Sequence, residues 1–151
     1  MSLSLTSQLG LAMRFHVEVD GYSLGSWSTC KGLGVTFDMI AVNELGQHAY
    51  TTNLPGRAKY TPVTLTRGMV SGDWETTRGF LSRVVADGWL LAGGGDRSAS
   101  IELRDAKQQP VAKWMLRNPM PTSWKGPQLD ANGQAVAVES LELIHEGFLD
   151  D

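Results

Sequence analysis

Three histidines, His16, His48 and His145, are the first places to look for chemistry, because an imidazole binds zinc or moves a proton near neutral pH. They are scattered, and none belongs to a His-Glu-x-x-His pattern. His145-Glu146 is a dipeptide at a strand end with no second histidine four residues on. A surface or hydrogen-bonding role is the plain reading of each. Cys30 is the only cysteine, so neither an internal disulfide nor a cysteine-built structural zinc site is expected. Its type suits a small buried hydrophobe. No Gly-x-Ser-x-Gly elbow anchors a hydrolase nucleophile. Gly93-Gly94-Gly95 lacks the Gly-Lys-Ser/Thr ending of a phosphate loop, and Gly25, Gly32 and Gly34 make no dinucleotide fingerprint. Glu102 and Glu142 are carboxylates that a barrel could bring together, but nothing assigns them acid/base work. No catalytic, cofactor-binding or metal-binding residue is expected, and the chain does not read as an enzyme.

Arg57, Lys59, Arg67 and Arg78 form the one basic grouping of note, with Tyr60 and Trp74 nearby. That mixture can suggest nucleic acid. The balance of 13 basic and 16 acidic residues, net -3, favours an interface or lumen surface with paired charges instead. Five tryptophans are a high load for 151 residues. Some must be core, and Trp124, in a Pro/Gly-rich stretch, is a candidate intersubunit anchor.

The elements that would position these residues centre on Val63 to Leu91, which reads strand, tight turn, helix. Val63 and Leu65 alternate with Thr64 and Thr66. Ser71, Gly72 and Asp73 give a helix start. From Asp73, Trp74, Thr77, Leu81, Val84 and Gly88 fall on one stripe, flanked by Phe80 and Val85. Gly93 to Gly95 stop it. Trp74, Phe80, Leu81, Val84 and Val85 are the expected helix-to-sheet core. Trp74 is expected to hold the fold itself.

The remaining pattern is strands. Phe15, Val17 and Val19 alternate with Arg14, His16 and Glu18, and Asp20-Gly21 is a turn signal. Leu33, Val35 and Phe37 make a second strand, with Gly32 and Gly34 suggesting a bulge or close backbone approach. Ile101 and Leu103, then Ala112, Trp114 and Leu116, mark two more. Ala135 to Ile144 is the last, where Val136 and Val138 lie on one parity and Leu141 and Leu143 on the other. That predicts a phase slip near Glu139 and Ser140, by a bulge or by burial on both sides. The sum is about six or seven strands and one helix in one domain, an antiparallel β-barrel or two packed sheets. Residues 14–151 form the domain, with projecting loops at about 41–60 and 118–133. A hairpin could extend from Ala49 to Thr52. Residues 1–13 read as a loose arm or as a strand that needs a neighbour, and their leucines would gain by burial if the arm lay on another subunit. No secretory signal and no run near ~18 apolar residues is present, so synthesis in the cytoplasm without a membrane anchor is expected.

RFHVEVDG (Arg14 to Gly21), CKGLGVTFD (Cys30 to Asp38), NLPGRAKYTPVTLTRG (Asn53 to Gly68), Asp73-Trp74 and VESLELIHEGF (Val138 to Phe148) occur in one order along the chain. Together they resemble the tube proteins of contractile phage tails and contractile injection systems. The resemblance runs through nearly the whole chain. It departs at Asn118 to Gly133, and at the helix start, where Arg78 and Gly79 replace a second tryptophan.

The resemblance implies a mainly β fold with one helix. It implies hexameric rings stacked into a hollow tube inside a contractile sheath. The partners would be copies of the chain, a sheath protein, baseplate and tube-end proteins, and tape-measure protein or cargo in the lumen. Nucleic acid would enter only as transit. The long loop and the termini look like the contact parts, giving Leu3, Leu5, Leu9, Leu45, His48, Tyr50, Leu54, Arg57, Lys59, Tyr60, Trp124 and Phe148 as candidate ring and stacking residues. A baseplate-proximal initiator ring or the ring protein of a type VI secretion system would look similar. The rival of another class is a monomeric β-barrel binding module with Trp27, Trp124 and Tyr50 lining a ligand site.

Overall fold

Asp20 and Gly21 both take positive φ, 49° and 84°. This is the two-residue turn whose twist matches that of the strands it joins. It links β1 (Arg14–Val19) to β2 (Tyr22–Trp27), with Val19 opposite Tyr22. The computed structural model describes residues 13–42, 46, 51–86, 97–127 and 137–149. After Ser28 the chain passes into β3 (Thr29–Lys31) and then β4 (Val35–Val42), β5 (Thr52–Tyr60) and β6 (Val63–Gly68). The helix α1 (Asp73–Ala86) precedes β7 (Ser98–Arg104), β8 (Pro110–Arg117), β9 (Met120–Lys125) and β10 (Val138–Ile144). Gly32 carries the close approach expected beside β4: its φ is 97°, and a Cβ there would collide with the Pro62 carbonyl.

Two four-stranded sheets, in the orders β2-β1-β7-β8 and β3-β6-β10-β9, and the separate β4-β5 hairpin contain only antiparallel pairs. Val17, Val19, Leu24, Trp27, Ala99, Ile101 and Leu116 face the core from the first sheet. Val63, Leu65, Leu141 and Leu143 face it from the second, and Phe80 and Val84 enter from α1. The chain crosses between the two sheets after β2, again between β6 and β7 by way of α1, and after β8; the edge strands β2 and β3, and β8 and β9, flank the two seams. Among the described residues no ladder closes either seam, so the body is two packed sheets, not a closed barrel. Ten strands are described, more than the sequence pattern suggests. β3 is only three residues long, and β5 and β9 hide in Pro- and Gly-bearing stretches.

Two expectations about side chains change. Val85 is 79% exposed and is not core. The buried face of α1 is Thr77, Phe80 and Val84, a stripe rotated so that Phe80, not Trp74, is its anchor. Trp74 and Leu81 are half-buried on its border. The phase slip in β10 is also absent. Its register with β6 is unbroken from Val138 to Leu143, and its inward row reads Glu139, Leu141, Leu143. The residue that looked out of phase is a buried acid.

Glu139 has its partner directly across the ladder, Arg67. The inward row of β6 is Val63, Leu65, Arg67, so its third inward slot faces the first of antiparallel β10, and the two carry opposite charge. Both residues are almost wholly buried. Arg67 Nε donates to Glu139 Oε1 at 2.5 Å, and Nη2 donates to Thr77 Oγ1 of α1 at 3.0 Å. Nη1 donates to the Leu24 carbonyl at 2.7 Å and, more weakly, to that of Ser26 at 3.3 Å. The guanidinium lies 3.9 Å over the Trp27 ring. Asp73, in the first turn of α1, is 3.8 Å away. One cation therefore joins β6, β10, β2 and the helix. The basic grouping read along the sequence is broken up: Arg67 is core, Lys59 pairs with Asp38 at 3.3 Å, and Arg78 pairs with Glu75 at 3.3 Å.

Urea unfolding should rank the helix residues: Phe80→Ala costs about 3–5 kcal/mol, and Val85→Ala stays within about 0.5 kcal/mol. Arg67→Met alone leaves Glu139 charged and unpaired, and should cost about 3–5 kcal/mol. Adding Glu139→Leu to it should recover most of that loss. A double variant as unstable as the single one would contradict the pairing.

Candidate assembly surfaces

A two-stranded hairpin has one hydrogen-bonded neighbour per strand and no core of its own. The β4–β5 hairpin is such an element, and neither strand joins either sheet. At about 3.4 Å per residue its eight-residue strand β4 spans roughly 25 Å. Phe37 is 45% exposed, Met39 61%, Ile40 56% and Leu54 49%. Phe37 lies opposite Ala58 and Met39 opposite Pro55 on one face; Ile40 lies opposite Leu54 on the other. Both faces thus present apolar side chains to solvent. The sequence reading placed Phe37 in an alternating strand and read 41–60 as a projecting loop, with a hairpin open as an alternative from Ala49 to Thr52. In the structure residues 52–60 are a strand, and Phe37 is exposed because no sheet lies behind it.

The hairpin is fixed at its base. Tyr60, the last residue of β5, sits with its ring centroid 5.5 Å from His145 and 5.2 Å from Phe148. Gly147 allows this packing, since a Cβ there would stand 2.8 Å from the Tyr60 ring. His145 Nε2 donates to the Thr61 carbonyl at 3.2 Å, and the Gly147 N–H donates to Nδ1 at 3.1 Å. Only the neutral Nε2–H ring makes both bonds. Burial lowers the pKa of this histidine below 6.5, opposed by the Thr61 carbonyl.

The other sequence candidates separate. Leu54, Arg57 and Lys59 are exposed on β5, whereas Tyr60 and Phe148 are half-buried at its base. Trp124 is not on an exposed loop. It belongs to β9, opposite Leu141, and its ring centroid lies 4.5 Å from that of Trp74 at 32°. Leu3, Leu5, Leu9, Leu45, His48 and Tyr50 lie outside the described residues. Trp27 is fully buried beneath Arg67 and lines no open ligand site. Glu102 and Glu142 stand on different sheets. Glu102 accepts from Arg104 at 2.6 Å, which lowers its pKa, and Glu142 accepts from Thr122 at 2.9 Å. Among the described residues no group of three or more His, Cys, Asp or Glu could hold a metal ion, and no helix is long and apolar enough to cross a membrane. Cys30 is half-buried, and burial pushes its thiol up to about 12.

The sequence missed Phe37, Met39 and Ile40 as exposed residues. The available signal was Val35 to Val42 itself: eight residues with one charge, too apolar on both parities for a strand covered on one side only.

His145 has a folded pKa below its unfolded value, so its contribution to stability is complete above about pH 6.5. It is lost as pH falls from there through the depressed folded value. Urea unfolding at pH 7.5 and 5.0 should show a larger loss for the wild type than for His145→Gln. Equal losses would remove His145 from the hairpin base as a pH-sensitive contact.

The family model for the T4-like virus tail tube protein gp19 matches residues 11–149. Among solved structures, the chain is similar to one from the anti-feeding prophage baseplate, with a TM-score of 0.65, 19% identity, and coverage of 90% of this chain and 89% of that one. It is similar to one from the sheath–tube complex of the extracellular contractile injection system PVC, with a TM-score of 0.64, 22% identity, and coverage of 89% and 85%. A type six secretion system protein matches with a TM-score of 0.52 at 10% identity, covering 89% and 80%. No curated protein matches. These structures share the fold, and the family match spans both sheets, the hairpin and the helix: the chain belongs to the T4-like virus tail tube protein gp19 family.

Proposed function

We propose that this chain is a structural subunit of the hollow inner tube of a contractile tail or injection system, forming hexameric rings that stack inside a sheath. The observation that carries the reading is the hairpin. Two strands that project from a folded body, with apolar side chains half-exposed on both faces, are marginal in water. A second copy of the chain that covers them removes that surface from solvent. The body beneath has a continuous core and a buried ion pair, so the hairpin rises from a rigid base. Copies of the chain, a sheath protein outside the tube and baseplate or tube-end proteins are the proposed partners. Tape-measure protein or cargo is proposed for the lumen. The work is geometric, and no catalytic step is assigned to any residue.

Replacing Ile40 and Leu54 with Lys should leave the body folded by circular dichroism. It should abolish stacked tubes in electron micrographs taken with sheath and baseplate components. Tubes of normal length from this variant would remove the hairpin from the assembly, and a monodisperse wild-type monomer under the same conditions would remove the tube reading itself.

A further inference from the structure

The outward side chains of the second sheet fall into two unbroken rows across its four strands. One row is Thr29, Thr66, Ser140 and Lys125; the next is Lys31, Thr64, Glu142 and Ser123. Short hydroxyl side chains make up most of this face. Its two lysines stand on the edge strands β3 and β9, where a charge deters stray strand pairing. Its one acid is tied down, since Thr122 Oγ1 donates to Glu142 Oε1 at 2.9 Å. Neither row contains an apolar side chain. The exposed apolar residues of β10, Val138 and Ile144, lie at its two ends, outside both rows.

The first sheet has the same number of strands and is built otherwise. Threonine suits any strand, yet no strand of the first sheet contains one. Its outward rows set His16 beside Glu102 and Glu102 beside Lys113, and place Arg14 opposite Arg104. The same face exposes Val111 and Met115 on its edge strand β8. The helix exposes Val85, and the hairpin exposes Ile40 and Leu54. Each of these surfaces offers apolar area or arginine to a neighbour, which is the material of protein contacts. The two rows of the second sheet offer none of it, and the serine, lysine and glutamate they hold are depleted at protein interfaces.

A copy of the chain in a stacked, sheathed tube has neighbours in its own ring, in the rings above and below, and in the sheath outside. Only the side toward the bore meets no fixed partner. We propose that the outward face of the second sheet, centred on Thr64, Thr66, Ser140 and Glu142, lines the bore of that tube. The inference rests on the tube reading and adds to it which of the two sheets faces the channel. A hydroxyl offers a passing polar group the hydrogen bonds that water already offers, so the exchange gains little. No apolar patch lies in the two rows to hold a cargo by burial. Such a wall fits water and a cargo in transit, which it touches without gripping.

Ser140→Cys, at the centre of the face, and Ser123→Cys, on its edge strand, each place a thiol there for labelling. Tubes assembled from either variant with sheath and baseplate components are treated with a small gold-cluster maleimide at pH 7. Native Cys30 reacts slowly, because burial holds its thiol protonated. Averaged cross-sections in electron micrographs should show a ring of gold density inside the tube, against the surface of the bore. Gold on the outside of the wall would overturn the proposal. So would thiols that label in the free chains but not in the tubes, since that marks a contact between subunits. Either result leaves the tube reading intact. Ser123→Arg gives an independent readout, with tubes of wild-type length expected, unlike the hairpin variant. Folded Ser123→Arg chains that no longer form tubes would make this face a contact and overturn the proposal as well. A wild-type chain that forms no tube with the same components sinks the tube reading, and this inference with it.

Discussion

Arg67 is the one side chain on which the two sheets and the helix depend together. A guanidinium has five N–H donors in a fixed plane and no way to shed its charge. Burying it is tolerable only where most of those donors are met. Here Glu139, Thr77 and the carbonyls of Leu24 and Ser26 meet them, and Trp27 covers one face. The partners lie on three segments, β10, α1 and β2, so the charge has one good position and the segments must come to it. Replacing such a pair with apolar residues can be neutral in free energy. Its effect here is on alignment. Sliding β10 by two residues would keep every side chain on its proper face but set Arg67 opposite Leu141 or Ala137. The leucines alone do not forbid that slip, whereas the charge pair does.

That constraint also explains where the sequence could be read and where it could not. The Asp20-Gly21 turn, the alternation of β1 and the start of α1 at Asp73 are local, and the structure keeps them. The helix stripe was assigned within one residue position of rotation. Trp74 and Phe80 are both large and apolar, and only the location of Arg67 and Thr77 decides which of them faces inward. Glu139 was misread for the same reason. An acid in an apolar parity looks like a slip until the facing strand is known to hold Arg67 at the same height. Pairing partners 72 residues apart are invisible to a pattern read along one chain.

The assembly surfaces were legible in a different way. The sequence read the 41–60 region as a projecting loop, because Gly56 and Pro55 are loop-type residues. In the structure they are accommodated in a strand with a bulge, where two residues of β5 face Asp38. Gly56 belongs there because a Cβ would stand 2.9 Å from the Asp38 carbonyl. Trp124 was chosen as an anchor from its Pro- and Gly-rich surroundings, yet it packs on Trp74 within the chain. A tryptophan between prolines and glycines is not thereby exposed. What decides is whether its flanks, here Ser123 and Lys125, pair with a neighbouring strand.

The division between body and hairpin has a consequence for how copies of the chain meet. A head-to-tail contact uses two unlike patches, and a rotation that closes gives a ring, while one that does not gives an open helix. The body supplies one patch that is rigid because Arg67 and the core fix it. The hairpin would supply another, apolar on both faces and held at its base by the packing of Tyr60, His145 and Phe148. An uncovered hairpin gains little from its own side chains, so its ordering is completed by whatever covers it. On the proposed tube reading, free chains would carry a connector that lacks its cover, and each contact made would stabilise the element that makes the next. Growth by addition to an existing surface would then be favoured over the pairing of two free chains. That is the behaviour a tube of defined length requires if a preformed end is to decide where it starts.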